Sequence, residues 1–220
     1  MSEQPISAYK DGFRAFCQEF QPRISTGIKD FDIALHGGLV NEFYILGAET
    51  STGKSAFLMT IAQNIAAAGI DVLYFALEMG RNEFIARGIS SISFEHKKIS
   101  VSDILYWNYD EKTDAFKKLP FTQYESYLNE YFRRYGEHLY IIEGGISGLS
   151  VEEIAEKAYQ HKLHTKKPVV VCIDYLQITR QNNLSTDRKT KTDIVTTTLK
   201  SLASQVGMLL RPFQPDILQI

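Results

Sequence analysis

The sequence predicts an α/β fold, a mainly parallel sheet flanked by helices, and three observations carry that prediction. Short apolar runs alternate with segments of helical periodicity. One run, VVVCI at 169–173, is apolar throughout and largely β-branched, the pattern of a strand buried on both faces of a parallel sheet. A loop rich in Ser, Thr and Gly, AETSTGKS at 48–55, stands between an apolar strand and a helical run. Nothing in the sequence signals a hairpin.

The elements follow in order. Tyr9, Phe13, Phe16, Cys17 and Phe20 recur at helical spacing, which predicts an amphipathic linker helix within residues 1–21. Its stripe can pack on its own domain or dock on a neighbouring subunit. The main domain is expected over 22–205. EFYILG at 42–47 reads as a strand, followed by a helix from about 55 to 68 that Gly69 ends. VLYFA at 72–76 is the next buried strand, and helical spacing resumes over 83–92. Residues 94–138, rich in Tyr, Phe, Lys and Glu, read as helices and loops on the outside of the core, whose many aromatics suggest contacts with a partner, with packing over the sheet the favoured use. LYII at 139–142 is a third strand, and Ser150 with Glu153 has the form of a capping box opening a helix to about 165. After the strand 169–173 come a polar loop over 179–191 and a helix over about 192–204. Residues 206–220 contain Pro212 and Pro215. Proline has no N–H for a central ladder, so this stretch is expected to be an atypical tail that leaves the sheet with an unpaired edge.

The bulk numbers bound the function. A chain of 220 residues with 44% hydrophobic residues can form one large domain with a sizeable core. A net charge of −2 excludes a globally basic nucleic-acid binder, so any such contact is local. Two distant cysteines, Cys17 and Cys172, fit a reducing compartment rather than a disulfide scaffold. The first residues have no apolar signal region and no stretch is long enough to cross a bilayer, which predicts a cytoplasmic protein.

The strongest chemical signal is Ala48–Ser55. A phosphate loop has a first Gly, four residues, then Gly-Lys-Ser/Thr. Here Ala48 stands first, with Gly47 before it, and Gly53, Lys54 and Ser55 complete the pattern. Small residues let backbone N–H groups approach a phosphate closely, and the following helix adds its positive dipole end. Ala48, Glu49, Thr50, Ser51, Thr52, Gly53, Lys54, Ser55 and Ala56 are therefore the predicted nucleotide-binding residues. Lys54 supplies a mobile charge for the β- and γ-phosphates and acts catalytically through it, and the Ser55 hydroxyl can ligate magnesium. The expected ligands are ATP and Mg²⁺. Asp174, at the end of VVVCI, sits where such folds bind ligands and can hold the metal. Glu78, just past VLYFA, is placed to orient or deprotonate an attacking water, although an acid there can equally belong to a helix start. The five histidines show no metal-ligand spacing and read as surface or packing residues.

Together these motifs resemble the C-terminal ATPase domain of the DnaB-family replicative DNA helicases, which has a RecA-like fold. ISTGIKDFDIALHGGLVNEFYILGA is similar to that family's lead into its phosphate loop, and the family's loop begins with Ala, as at Ala48. FALEM resembles the strand ending in the family's catalytic Glu, here Glu78. Arg87, nine residues on, matches an Arg lying near the nucleotide base. VVVCIDYLQI carries the family's Asp-Tyr-Leu-Gln run at Asp174–Gln177, so Gln177 joins the nucleotide set. The stretch before TDIVTTTLKSLASQ corresponds to a DNA-binding loop, which makes Arg180, Arg188, Lys189 and Lys191 candidates for single-stranded DNA, unless they form an ordinary solvated loop. The resemblance implies a ring-forming ATPase, a hexamer in the family, that moves single-stranded DNA in replication.

The chain also departs from the pattern. The family continues into a further buried strand with a polar sensor, a second DNA-binding loop and an arginine finger. It also carries an N-terminal primase-interacting domain. From the ending VGMLLRPFQPDILQI we expect poor ATP turnover by the isolated chain, no unwinding, and self-association. Two other readings stand beside the helicase: a non-catalytic nucleotide-binding module that regulates a helicase ring, and a recombinase-type RecA relative, against which the Asp-Tyr-Leu-Gln run argues.

Overall fold

The computed structural model describes residues 5–19, 22–49, 51–94, 96–145, 148–174, 197, 199–201 and 207–213, the last stretch as backbone only. Five strands form one sheet in the order β1-β7-β6-β2-β5, and every pairing is parallel. They are β1 (Phe43–Gly47), β2 (Asp71–Ala76), β5 (Leu139–Glu143), β6 (Val169–Asp174) and β7 (Gly207–Phe213). β2 and β6 are buried at every position, as their near-continuous apolar sequences require.

The side chains of these two strands alternate between two cores. Val72, Tyr74, Ala76, Val170 and Cys172 pack under α3 (Lys54–Ala67), which contributes Leu58, Met59, Ile61, Ala62, Ile65 and Ala66. Leu73, Phe75, Val169, Val171 and Ile173 face the other way, onto Val151, Ile154 and Ala158 of α7 (Val151–Thr165) and onto Leu199. Each such fully buried aliphatic or aromatic side chain contributes on the order of 1.5–3 kcal/mol. Ser150 and Glu153 cap α7 reciprocally, as their spacing predicts. Thr197 and residues 199–201 are helical, within the helix expected there.

A third, smaller core forms where α4 (Arg81–Ser93) meets α5 (Val101–Leu105) and α6 (Glu125–Tyr135). It holds Ala86, Ile89, Ile99, Ile104 and Tyr131. Tyr131 lies directly over Gly88, close enough that a Cβ on Gly88 would come within 2.0 Å of its ring.

Three expectations are corrected here. Residues 207–213 are not a tail outside the sheet: β7 lies between β1 and β6. Its pairing with β6 ends at Leu210, two residues before Pro212, so the missing N–H falls where β1 is the strand's remaining neighbour. Residues 94–138 do contain a hairpin, β3 (Trp107–Asp110) with β4 (Ala115–Lys118), joined by the turn 111–114 with Asp114 at φ 48°. Their aromatics do not all pack over the sheet, since Trp107 and Phe116 are 65% and 68% exposed. Of the two uses left open for the N-terminal helix, packing on its own domain is not seen among the described residues. α1 (Lys10–Gln18) buries none of its residues, and Tyr9, Phe13 and Phe16 are exposed.

Candidate functional site

Because the sheet is parallel, β1, β2, β5 and β6 all end at one edge, the place where open α/β sheets take ligands. β1 stops at Gly47, and α3 begins at Lys54 after a short turn. That turn places Ser51 (φ 62°) and Gly53 (φ 92°) in the left-handed region. A left-handed Ser costs roughly 1–2 kcal/mol, so the rest of the loop must enforce it. Left-handed residues at such spacing are what a nest requires, in which successive N–H groups can converge on an anion. A Cβ built on Gly53 meets no heavy atom within 4 Å, so the space over the loop is open.

No side chain caps α3, whereas α5 and α7 start with complete capping boxes, Ser100 with Asp103 and Ser150 with Glu153. The N–H groups of its first turn and its positive dipole end point into the phosphate loop, where an anion would complete the cap. Lys54 Nζ donates to the carbonyls of Ala48 (2.6 Å) and Glu49 (2.5 Å), and the Thr52 hydroxyl donates to Glu49 O at 2.7 Å. The ammonium thus folds back on its own loop, where phosphate oxygens can compete for it.

Asp174 ends β6 and is 2% exposed. Its carboxylate accepts from the Ser55 hydroxyl at 3.0 Å and from the Tyr74 hydroxyl at 2.8 Å. Burial pushes its pKa up. The hydrogen bonds from Tyr74 and Ser55 and the positive charges of Arg87 and Lys54 offset this only in part, so the carboxyl stays above its ordinary value. Burial, followed by the same contact with Asp174, raises the Tyr74 phenol well above its ordinary pKa. A hydroxyl and a buried carboxylate, both oxygen ligands, suit a hard cation such as magnesium.

Glu78 follows β2, its side chain exposed and without a hydrogen bond or ion pair among the described residues. Leu77 N–H, just before it, donates to Asp174 O at 2.7 Å. Arg87 on α4 pairs with Glu83 (2.7 Å) and lines a cleft of about 250 Å³ between α3 and α4 together with Ser55, Ala56 and Met79. The fold therefore gathers Ala48, Glu49, Ser51, Thr52, Gly53, Lys54, Ser55, Ala56, Glu78, Arg87 and Asp174 at one edge of the sheet. Thr50, Gln177, Arg180, Arg188, Lys189 and Lys191 lie outside the described residues.

Sequence reasoning missed Tyr74. A hydroxyl in a strand buried on both faces needs a partner, and that requirement was the available signal. It also missed Glu143 and Arg81, which join through a 3.3 Å ion pair at the end of β5. Two of the five histidines have a structural partner: His138 Nδ1 and His161 Nε2 each donate to the buried Asp71, at 2.8 and 3.0 Å. No helix among the described residues is long and apolar enough to cross a membrane.

Comparison with known proteins bears on this geometry. The family model of the DnaB-like helicase C-terminal domain matches residues 23–210, a span that takes in part of β7. The replicative DNA helicase DnaB of Buchnera aphidicola subsp. Schizaphis graminum is 26% identical over 184 residues, covering 83% of this chain and 36% of that protein. The replicative DNA helicase DnaC of Bacillus subtilis is 26% identical over 186 residues, covering 83% and 37%. The chain thus spans little more than a third of the curated relatives it matches. A solved DnaB-like replicative helicase, described with its interactions with primase, superposes with a TM-score of 0.72 at 22% identity, over 96% of this chain and 49% of that one. A solved ATPase domain superposes at 0.71 and 20% identity, over 97% and 72%. The architecture is the RecA-like fold that the resemblance implied.

Proposed function

This chain belongs to the DnaB-like helicase C-terminal domain family, and from that premise we propose that it is the ATPase domain of a replicative-type DNA helicase, binding ATP with magnesium and coupling hydrolysis to movement on single-stranded DNA. The single observation that best supports this is the hydrogen bond between Ser55 of the phosphate loop and the buried Asp174 at the end of β6. A hydroxyl and a carboxylate meeting beside an uncapped helix start make a metal-phosphate site.

Each residue then has a role. The N–H groups of 48–55 and of the first turn of α3 cradle the phosphates, and Lys54 exchanges its loop carbonyls for phosphate oxygens. Ser55 and Asp174 hold the cation, with Tyr74 fixing the carboxylate. Magnesium, when bound, neutralises developing phosphate charge. Glu78, exposed and unpaired among the described residues, orients the attacking water, and Arg87 stands over the same cleft. Gln177 is assigned to the nucleotide, and Arg180, Arg188, Lys189 and Lys191 to the DNA backbone, on the family resemblance alone.

The exposed stripe of α1 supports a ring in which this helix docks on the neighbouring subunit. The reading also carries a cytoplasmic location. The non-catalytic alternative and the expected unpaired edge rested on a missing strand, and β7 removes that ground.

Steady-state ATP turnover with and without single-stranded DNA tests the proposal. Turnover stimulated by DNA, and slowed ~10²–10⁴-fold in Glu78→Gln while ATP still binds, is the expected result. Tight ATP binding with no turnover under any condition, DNA and assembled ring included, would exclude the motor.

A further inference from the structure

Glu143 is the last residue of β5. It stands in register with Ala76 of β2, which faces Asp174 of β6 on its other side. The four residues after Ala76 carry Glu78 into α4. That short loop is anchored before Glu78 by the Leu77 N–H bond to Asp174 O, at 2.7 Å. It is anchored after Glu78 by Glu143, whose Oε1 accepts the Arg81 N–H at 2.8 Å. Oε2 meets the Arg81 guanidinium at 3.3 Å.

Between the anchors, Met79 is buried in the core beneath α3. Gly144 leaves room for Leu77, since a Cβ there would lie 2.9 Å from Leu77 Cδ2. The N-cap of α4 is Gly80, which has no side chain to cap the helix, so the cap comes from the neighbouring strand.

We propose that Glu143 is a positioning residue for Glu78: by capping α4 from β5 it fixes where the loop presents the Glu78 carboxylate. The inference rests on the reading of Glu78 as the water-orienting group. The ion pair with Arg81 is half-exposed and weak. The effect is carried by the bond to the Arg81 N–H, which an amide oxygen can also accept.

Two measurements on the full chain test this. By amide hydrogen exchange, Glu143→Ala is expected to speed exchange of the Arg81 amide by ~10-fold or more, the loss of one charge-assisted bond, while Glu143→Gln and the β2 amides change little. In ATP turnover, Glu143→Ala is expected to lower kcat ~10–100-fold, as for a reactive group misplaced by about 1 Å, with KM for ATP unchanged and Glu143→Gln near wild type. In a Glu78→Gln background, Glu143→Ala should cost nothing further, because both act through one carboxylate.

Unchanged Arg81 exchange in Glu143→Ala, or losses that multiply in the double variant, overturn the proposal. A slow Glu78→Gln beside an unaffected Glu143→Ala overturns it alone. A Glu78→Gln variant at the wild-type rate removes the premise as well, while the exchange measurement still reports on the cap.

Discussion

Ser55, in the first turn of α3, and Asp174, the last residue of β6, stand 119 positions apart in sequence and meet through a 3.0 Å hydrogen bond. Tyr74, from the neighbouring strand β2, holds the second carboxylate oxygen at 2.8 Å. The pair exists because parallel strands end together, and its carboxylate is kept buried at a cost that its own strand could avoid with an apolar residue.

That cost predicts a trade between stability and binding. Asp174→Asn removes a buried charge, and both partners are hydroxyls that can turn to accept from the amide. Tm is expected to stay level or rise, while magnesium-dependent ATP binding weakens ~10-fold or more, as when function holds a strained polar group in place. A variant that both melts earlier and binds as before would contradict this.

Acid stability is tied to Asp71. Burial pushes its pKa up, but hydrogen bonds from His138 and His161 and their charge outweigh this and hold the carboxyl below its ordinary value. A depressed folded-state pKa contributes stability that is present above the unfolded pKa, 3.8, and lost as pH falls through the folded value. Asp71→Ala should flatten that acid limb. At pH 7 it should cost about 0.5–1.5 kcal/mol for each hydrogen bond lost, because both imidazoles reach solvent. Urea unfolding across pH measures both effects, and an unchanged acid limb would count against the clasp.

Gly88 tests the packing of α6 on α4. Gly→Ala inside a helix ordinarily gains about 1 kcal/mol. Here the new Cβ would lie 2.0 Å from the Tyr131 ring. Overpacking typically costs about 1–3 kcal/mol, so Gly88→Ala is expected to lower Tm on balance. A stabilised variant would mean that α6 moves away freely.

The sequence made the site's frame legible and left its cross-links hidden. The strand 169–173, Asp174 and the loop 48–55 could be read because a β-branched run and a Gly-Lys-Ser turn have few structural uses. The β7 strand is hidden because Pro212 argues against a strand with two full-length neighbours, whereas β6 pairs with it only as far as Leu210. The hairpin escaped because its turn, Glu111–Asp114, has neither Gly nor Asn. Partnerships such as Tyr74 with Asp174, or Asp71 with His161 90 residues on, follow from topology and have no local signature.

The exposed stripe of α1 predicts an assembly defect without a folding defect. Phe13→Ser with Phe16→Ser removes apolar surface that none of the described residues covers, so Tm of the monomer should stay within a degree or two, as for surface changes of about 0.5 kcal/mol. Oligomers seen by sedimentation should dissociate at higher concentration than in the wild type. Equal assembly in both proteins would assign the stripe elsewhere.

The central claim is that the loop 48–55 binds the phosphates of ATP with a cation held beside Asp174. Titration calorimetry of ATP into the wild type and Lys54→Ala, each with and without magnesium, tests it most directly. Among the described residues Lys54 bonds only its own loop carbonyls, so the variant should keep its fold and Tm. The account predicts magnesium-dependent binding in the wild type, weakened by ~10-fold or more in Lys54→Ala through loss of charge-assisted bonds. A Lys54→Ala protein that binds ATP as the wild type does would contradict it.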